Sequence, residues 1–292
     1  MLLLGSTAVP AHAALKCPRP VRVSDSAALH VNNFADSPRP QPIAPGRGRC
    51  GWGLGRAAGP TGTGTAFLVG SRREVMTNLH VVDNDCRGNR FFTFEHGYVD
   101  GRALSRQTAT VVTTGDYCSE LRRGRHDYSG DWAIAVLHSD PVALEPATPA
   151  ATAAPLEPQT GGSWLEANGR YYLLGYSMSF RLGSRPFSSG PCRFGPLFAD
   201  GVVEHNCDAG YRTSGAPILS QGTDGQCVVG AMHVGEIADL RGRPPYRADV
   251  NANVAVLAGR FAAAVEAVAR ELAQGRDAHA IGRDLAGGLP GR

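Results

Sequence analysis

The chain has 292 residues, enough for one large domain or two modest ones with cores of their own. At 42% hydrophobic and 19% charged residues its composition is that of a folded globular protein, which excludes a disordered or fibrous chain. The net charge of +3 is small and the arginines are scattered without interleaved aromatics, so no nucleic-acid partner is expected.

The chain opens on Met1-Leu2-Leu3-Leu4 and runs through small residues to Ala11-His12-Ala13, an apolar stretch with an Ala-x-Ala ending. That pattern predicts a secretory signal over residues 1–13, with a secreted or periplasmic mature protein. No later stretch has the roughly 18 uninterrupted apolar residues of a membrane span, so no membrane partner is expected. Residues 14–60 are rich in Pro, Gly and Arg and read as an N-terminal extension. Gly51-Trp52-Gly53-Leu54-Gly55 lacks the flanking strand and helix of a nucleotide loop.

From Thr61 the texture turns to short β-type runs: 66–69, 74–77, 91–94, 108–114 and 132–137. Close spacing without long helices between them predicts an antiparallel barrel or sandwich over 61–140. The Pro-, Ala- and Thr-rich stretch 141–162 reads as a linker. A second β unit follows over 163–275, with runs at 171–176, 216–219 and 228–232 and a hairpin over 192–207. Val254, Leu257, Phe261, Val265, Val268 and Leu272 recur at helical spacing, which predicts a C-terminal helix packed on the second β unit and stopped at Gly275. Residues 276–292 read as a tail.

The seven cysteines are spread out without a C-x-x-C pair, which points to disulfides rather than a metal or redox motif. Phe198-Ala199-Asp200-Gly201 places a turn midway between Cys192 and Cys207, so a hairpin would bring those two within bonding reach. Proximity along the chain suggests Cys86 with Cys118 and Cys17 with Cys50, leaving Cys227 as the odd thiol.

Three segments carry chemistry: Thr77-Asn78-Leu79-His80-Val81-Val82, Gly130-Asp131-Trp132-Ala133-Ile134 and Thr213-Ser214-Gly215-Ala216-Pro217. A serine hydroxyl attacks a carbonyl only when a base takes its proton and a carboxylate orients that base. Imidazole titrates near neutral pH and suits the task. Asp127, beside His126, competes with Asp131 but lacks the following Trp-Ala-Ile run. Ser129-Gly130 and Ser189-Gly190 lack the rest of the serine motif.

From Thr61 to Phe261 these segments resemble the trypsin-like (chymotrypsin-fold) serine peptidases, especially the bacterial branch with the glutamyl endopeptidases. Gly62-Thr63-Gly64-Thr65-Ala66-Phe67-Leu68-Val69 is similar to the opening strand, Glu74–Val82 to the histidine motif, and Asp131–Leu137 to the aspartate motif. His205-Asn206-Cys207-Asp208 with Thr213–Pro217 is similar to the serine motif. The resemblance implies an all-β fold of two six-stranded antiparallel barrels with the site in the cleft between them. It implies a secreted monomeric endopeptidase without cofactor or metal, acting on peptide or protein, with His80 as general base, Asp131 as its orienting carboxylate and Ser214 as nucleophile. An unrelated Ser esterase is disfavoured, because Gly-x-Ser-x-Gly is absent at Ser214.

The same resemblance assigns the backbone N–H groups of Arg212 and Ser214 to an oxyanion hole. The family carries Gly where Arg212 stands, and Thr213 replaces the usual small or acidic residue. Two readings of Arg212 follow: it collapses the loop, making the chain a catalytically impaired binding module, or its backbone sits normally with the side chain in solvent. The resemblance places Asp208, Ala209, His233, Val234 and Gly235 in the substrate pocket. Asp208 matches a position that favours basic side chains, whereas Met232-His233-Val234-Gly235 resembles a segment that receives acidic ones.

Overall fold

The computed structural model describes residues 41–42, 53–123, 127–141, 157–158, 171–178, 180–198, 200–221, 227–236 and 252–286. Residues 1–13, the proposed linker apart from 141 and 157–158, and the Cys17–Cys50 pair lie outside the described residues.

The first unit is a closed antiparallel barrel of six strands: β2 (Leu54–Ala58), β3 (Thr63–Leu68), β4 (Glu74–Thr77), β5 (Phe91–His96), β6 (Ser105–Thr114) and β7 (Ala133–Leu137), in the order β2-β3-β4-β7-β6-β5. Strand β2 belongs to the stretch expected to be an extension. Its glycines hide the strand pattern, and one of them is required: a Cβ on Gly55 would lie 2.5 Å from the Phe94 ring. Ala133, Ala135 and Leu137 of β7 fill the barrel core with Leu68, Val75 and Phe92, while Ile134 and Val136 face a second apolar cluster. A strand buried on both faces explains the unbroken apolar run that follows Asp131.

The second unit is a curled sheet of nine strands: β1 (Gln41–Pro42), β8 (Glu157–Pro158), β9 (Tyr171–Tyr176), β10 (Pro186–Cys192), β11 (Phe194–Leu197), β12 (Val202–His205), β13 (Pro217–Gln221), β14 (Cys227–Glu236) and β15 (Asn253–Leu257). Only Arg193 separates β10 from β11, so the two are halves of one bent strand. The first half pairs with β9 and the second with β12, which brings the six-strand set β9-β13-β14-β15-β12-β11 back on itself. The Cys192–Cys207 disulfide spans this bend, with Cα atoms 4.8 Å apart. Cys86 and Cys118 form a second disulfide. Cys227, read from the sequence as the odd thiol, is itself disulfide-bonded.

The predicted C-terminal helix is shorter than its periodicity and packs elsewhere. Val254 and Leu257 belong to strand β15, where the β-branched alternation pairs with β12 and β14. Helix α3 covers Ala262–Ala273 and Gly275, at φ +78°, closes it by donating to the Leu272 carbonyl. Its Val265 lies against Gly70 of the first barrel, and Phe261, Val265 and Val268 share one cluster with Phe67, Met76, Val229 and Met232. The stripe therefore seals the seam between both units instead of covering the second alone. The expected tail carries helix α4 (Ala278–Ala286), whose fully buried Ile281 joins that cluster and which packs along β6 and β7. No helix among the described residues is long and apolar enough to cross a membrane.

Polar bonds also stitch the two units. The Thr65 N–H donates to the Ser214 carbonyl at 2.8 Å, and the Tyr176 hydroxyl donates to the Tyr98 carbonyl at 3.0 Å. Asp100 donates its N–H to the Ser184 carbonyl and pairs with Arg185.

Candidate active site

His80 stands in a short helix, α1 (Leu79–Asp83), that follows β4 after the single residue Asn78. Asp131 closes the 3₁₀ turn before β7. Because β4 and β7 are paired neighbours, Thr77 opposite Ala133, their ends deliver the two side chains to one place. The His80 Nδ1 and Asp131 Oδ2 are 2.6 Å apart, and the His80 N–H donates to Asp131 Oδ1 at 3.0 Å. Asn78 Nδ2 donates to the Asp131 carbonyl at 2.7 Å and anchors the turn. The Asp131 side chain is 1% exposed and that of His80 25%, so solvent and substrate reach the imidazole but not the carboxylate. Burial opposes the imidazolium, but the charge of Asp131 and the hydrogen bond that His80 donates to it outweigh burial and raise the His80 pKa above its ordinary value.

The competing residues have other occupations. Asp127 caps the 3₁₀ turn by accepting the Ser129 N–H at 2.8 Å. Ser189 is buried in β10, where its hydroxyl accepts the Leu173 N–H and donates to the Gly190 carbonyl.

Ser214 lies between β12 and β13 on a loop that ends at Gly215. Gly215 has φ +86°, and a Cβ there would meet the Thr65 carbonyl oxygen at 2.2 Å and Thr77 Oγ1 at 2.5 Å. Only glycine fits this contact. Ser214 Oγ donates to the Val234 carbonyl at 3.3 Å, and Ser214 and His80 line the same cleft of about 340 Å³.

The residues before Ser214 form a β-turn, Gly210 to Thr213, closed by the Thr213 N–H donating to the Gly210 carbonyl at 2.9 Å. Arg212, third in the turn, has φ +76°, the left-handed region that glycine enters freely and an arginine enters at a cost of about 1–3 kcal/mol. Thr213 Oγ1 accepts the Gly210 N–H at 3.0 Å, so one threonine makes both bonds across the turn. The Tyr211 carbonyl accepts the Met178 N–H at 2.8 Å. In a trans peptide the Arg212 N–H then points the opposite way. Among the described residues neither the Arg212 N–H nor the Ser214 N–H has an acceptor.

The remaining pocket residues divide. His233 and Gly235 line the cleft with Gly210, Glu236 and Asn253. Asp208, 3% exposed, and Ala209, buried beside Cys207, stand outside that lining, and Val234 contributes its carbonyl to Ser214. His205 Nδ1 accepts the Cys207 N–H at 3.2 Å, so the neutral ring carries its hydrogen on Nε2 and donates it to His233 Nδ1 at 3.1 Å. His233 is thereby left with an Nε2–H for the cleft. Burial, followed by the proximity of His80, lowers the His233 pKa to about 3, and burial with His233 holds His205 well below its ordinary value.

Sequence reasoning missed Thr65, Thr77, Asn78 and Met178 as parts of this frame. Thr65 alone accepts the Tyr176 N–H at 3.0 Å, donates to the Arg212 carbonyl at 3.4 Å and accepts the Thr77 hydroxyl on its own carbonyl at 2.7 Å. A buried threonine in an apolar strand is the signal that was available for it.

The chain matches no protein-family model and no curated protein sequence. Among solved structures it is similar to a Glu endopeptidase in complex with MPD, at 13% identity and TM-score 0.56 over 83% of this chain and 99% of that one. It is also similar to the protease Anisep from Arthrobacter nicotinovorans, at 16% identity and TM-score 0.51 over 75% and 93%. A third similarity is to AL20, a thermostable serine protease from an extremophilic microorganism, at 18% identity and TM-score 0.50 over 77% and 98%. These likenesses establish the fold, the double β-barrel of the chymotrypsin-like serine proteases.

Proposed function

We propose that this chain is a secreted serine endopeptidase. The observation that carries the reading is the His80–Asp131 bond of 2.6 Å, with the carboxylate sealed off and the imidazole open to the cleft that holds Ser214. Asp131 accepts the Nδ1 hydrogen, which leaves Nε2 as the basic atom facing the cleft. As Ser214 Oγ bonds to the scissile carbonyl carbon, its hydrogen turns from Val234 to His80 Nε2. The oxygen of that carbonyl becomes an oxyanion, and the N–H groups of Arg212 and Ser214 receive it. Two fixed backbone donors there are worth on the order of 10²–10³ in rate each. The imidazolium returns its proton to the leaving amine as the C–N bond breaks. Water, deprotonated by the same Nε2, then hydrolyses the acyl ester.

The reading as an inactive binding module rests on Arg212 collapsing the loop, and the Tyr211–Met178 bond argues against that. Two disulfides among the described residues support an oxidising compartment, hence secretion. The Nε2–H of His233 suits a substrate side chain that accepts a hydrogen bond. Glutamate or glutamine before the scissile bond is therefore favoured over lysine, and Asp208, outside the lining, is not the specificity group. Digestion of a peptide library by the mature chain tests this. Cleavage after Glu or Gln that Ser214→Ala abolishes supports it. No cleavage by the folded protein contradicts the reading, and cleavage chiefly after Lys or Arg contradicts the role of His233.

A further inference from the structure

The cleft has two walls about Ser214 and His80. On one, His233, Gly235 and Glu236 form the end of β14, where the Val234 carbonyl already holds the serine hydroxyl. An extended peptide pairs its acyl side with such a strand end. The rest of the lining is Thr61, Gly62, Thr63, Val81 and Asn84 of the first unit, together with Tyr211 and Arg212. The leaving side of a substrate must pass there.

Arg212 stands out among these residues. Its turn position favours glycine, so the arginine is kept at a cost in backbone strain. Its backbone alone would serve as well without the side chain. Its Nε is buried, yet no protein atom among the described residues accepts from it. The guanidinium carbon lies 5.9 Å from the centre of the exposed Tyr211 ring, which supports the group from one side without taking up its hydrogens. The side chain as a whole is only half-buried, so an incoming carboxylate meets the outer part of the guanidinium and not the enclosed Nε.

We propose that the Arg212 side chain is a leaving-side subsite for a carboxylate, selecting substrates with Asp or Glu just after the scissile bond. The fork geometry of a guanidinium matches a carboxylate in two parallel bonds, which a lysine cannot reproduce. This inference rests on the endopeptidase reading and adds to it a preference on the side that departs first.

The test uses the mature chain and two internally quenched peptides identical before the scissile bond, one with Glu and one with Lys in the two positions after it. Wild type is expected to favour the Glu peptide in kcat/KM by about tenfold, the lower range for a charge-assisted bond, with the preference shrinking at high salt. In Arg212→Gly the ratio is expected to fall to near one, and Arg212→Lys to keep part of it. Because the ratio compares two substrates on one enzyme, any change the variants make in the oxyanion hole cancels. A ratio that is the same in wild type and Arg212→Gly overturns the proposal. Turnover of an acyl ester without leaving-side residues separates the two failures. If the ester is hydrolysed through Ser214 while the ratio is unmoved, the subsite alone is refuted. If no ester is hydrolysed, the endopeptidase reading falls with it.

Discussion

Thr213 makes both bonds across the turn that precedes Ser214, its N–H to the Gly210 carbonyl and its Oγ1 from the Gly210 N–H. The Thr213 side chain is completely buried. Thr213→Val keeps the shape and removes the acceptor of the half-buried Gly210 N–H, at a cost of about 1 kcal/mol. The expected outcome is a lower melting temperature together with a fall of tenfold or more in kcat, both largely restored in Thr213→Ser. Measurement of the two quantities side by side checks this, and an unchanged kcat in the valine variant would show that the turn holds without the hydroxyl.

At the scale of elements, the bent strand β10–β11 carries the closure of the second unit. Its two halves pair with different partners, and Arg193 at the bend donates to Asn206 Oδ1 at 2.8 Å and accepts the Asn206 N–H at 3.1 Å. The Cys192–Cys207 disulfide closes a loop of 15 residues in sequence separation across the same seam. Loop-closure entropy makes such a link worth about 3 kcal/mol. Replacing both cysteines by Ala is expected to lower the urea midpoint by a corresponding amount, and a midpoint within error of wild type would mean that the ladder and Asn206 suffice. This pairing was readable in advance because Asp200-Gly201 marks the turn between the two cysteines. The segments of the candidate site stood out too, since His80, Asp131 and Ser214 each sit close to one end of an apolar strand. Strand β2 was not, because Leu54-Gly55-Arg56-Ala57-Ala58 has glycine where Phe94 needs room. The boundary at Leu257 was hidden because spacing by three and four continues from strand β15 into helix α3 by coincidence. Helix α4 went unread because, among its residues whose side chains are described, only Ile281 and Ala278 are buried, too few to mark a face.

The molecule as a whole keeps two histidines neutral in its interior. His205 and His233 are both buried and bonded to each other, and both have folded pKa values below the ordinary 6.5, that of His233 at about 3. In the unfolded chain they take up protons near 6.5, so the unfolded state binds more protons below that pH. The stability they contribute is therefore complete above about pH 6.5 and is lost progressively as pH falls below it. His80, with its pKa raised, acts in a separate window above 6.5 and with opposite sign, its stabilising effect being lost as pH rises through the raised value. Urea unfolding between pH 7 and 5 is expected to show falling stability, and a flat profile across that range would contradict the neutral pair. The apolar cluster shared by both units and α3 couples them, so a single transition is expected.

The central claim is that Ser214 is a nucleophile activated by His80. Reaction of the mature protein with a fluorophosphonate, followed by peptide mapping, measures it directly, since the phosphorus accepts the Ser214 oxygen as a peptide carbonyl would. The account predicts one adduct, on Ser214, absent in His80→Ala. It also predicts a labelling rate that falls as pH drops through a value above 6.5, where His80 takes its proton and ceases to be a base. Folded protein that remains unlabelled, or that is labelled equally when Ser214 is alanine, would contradict it.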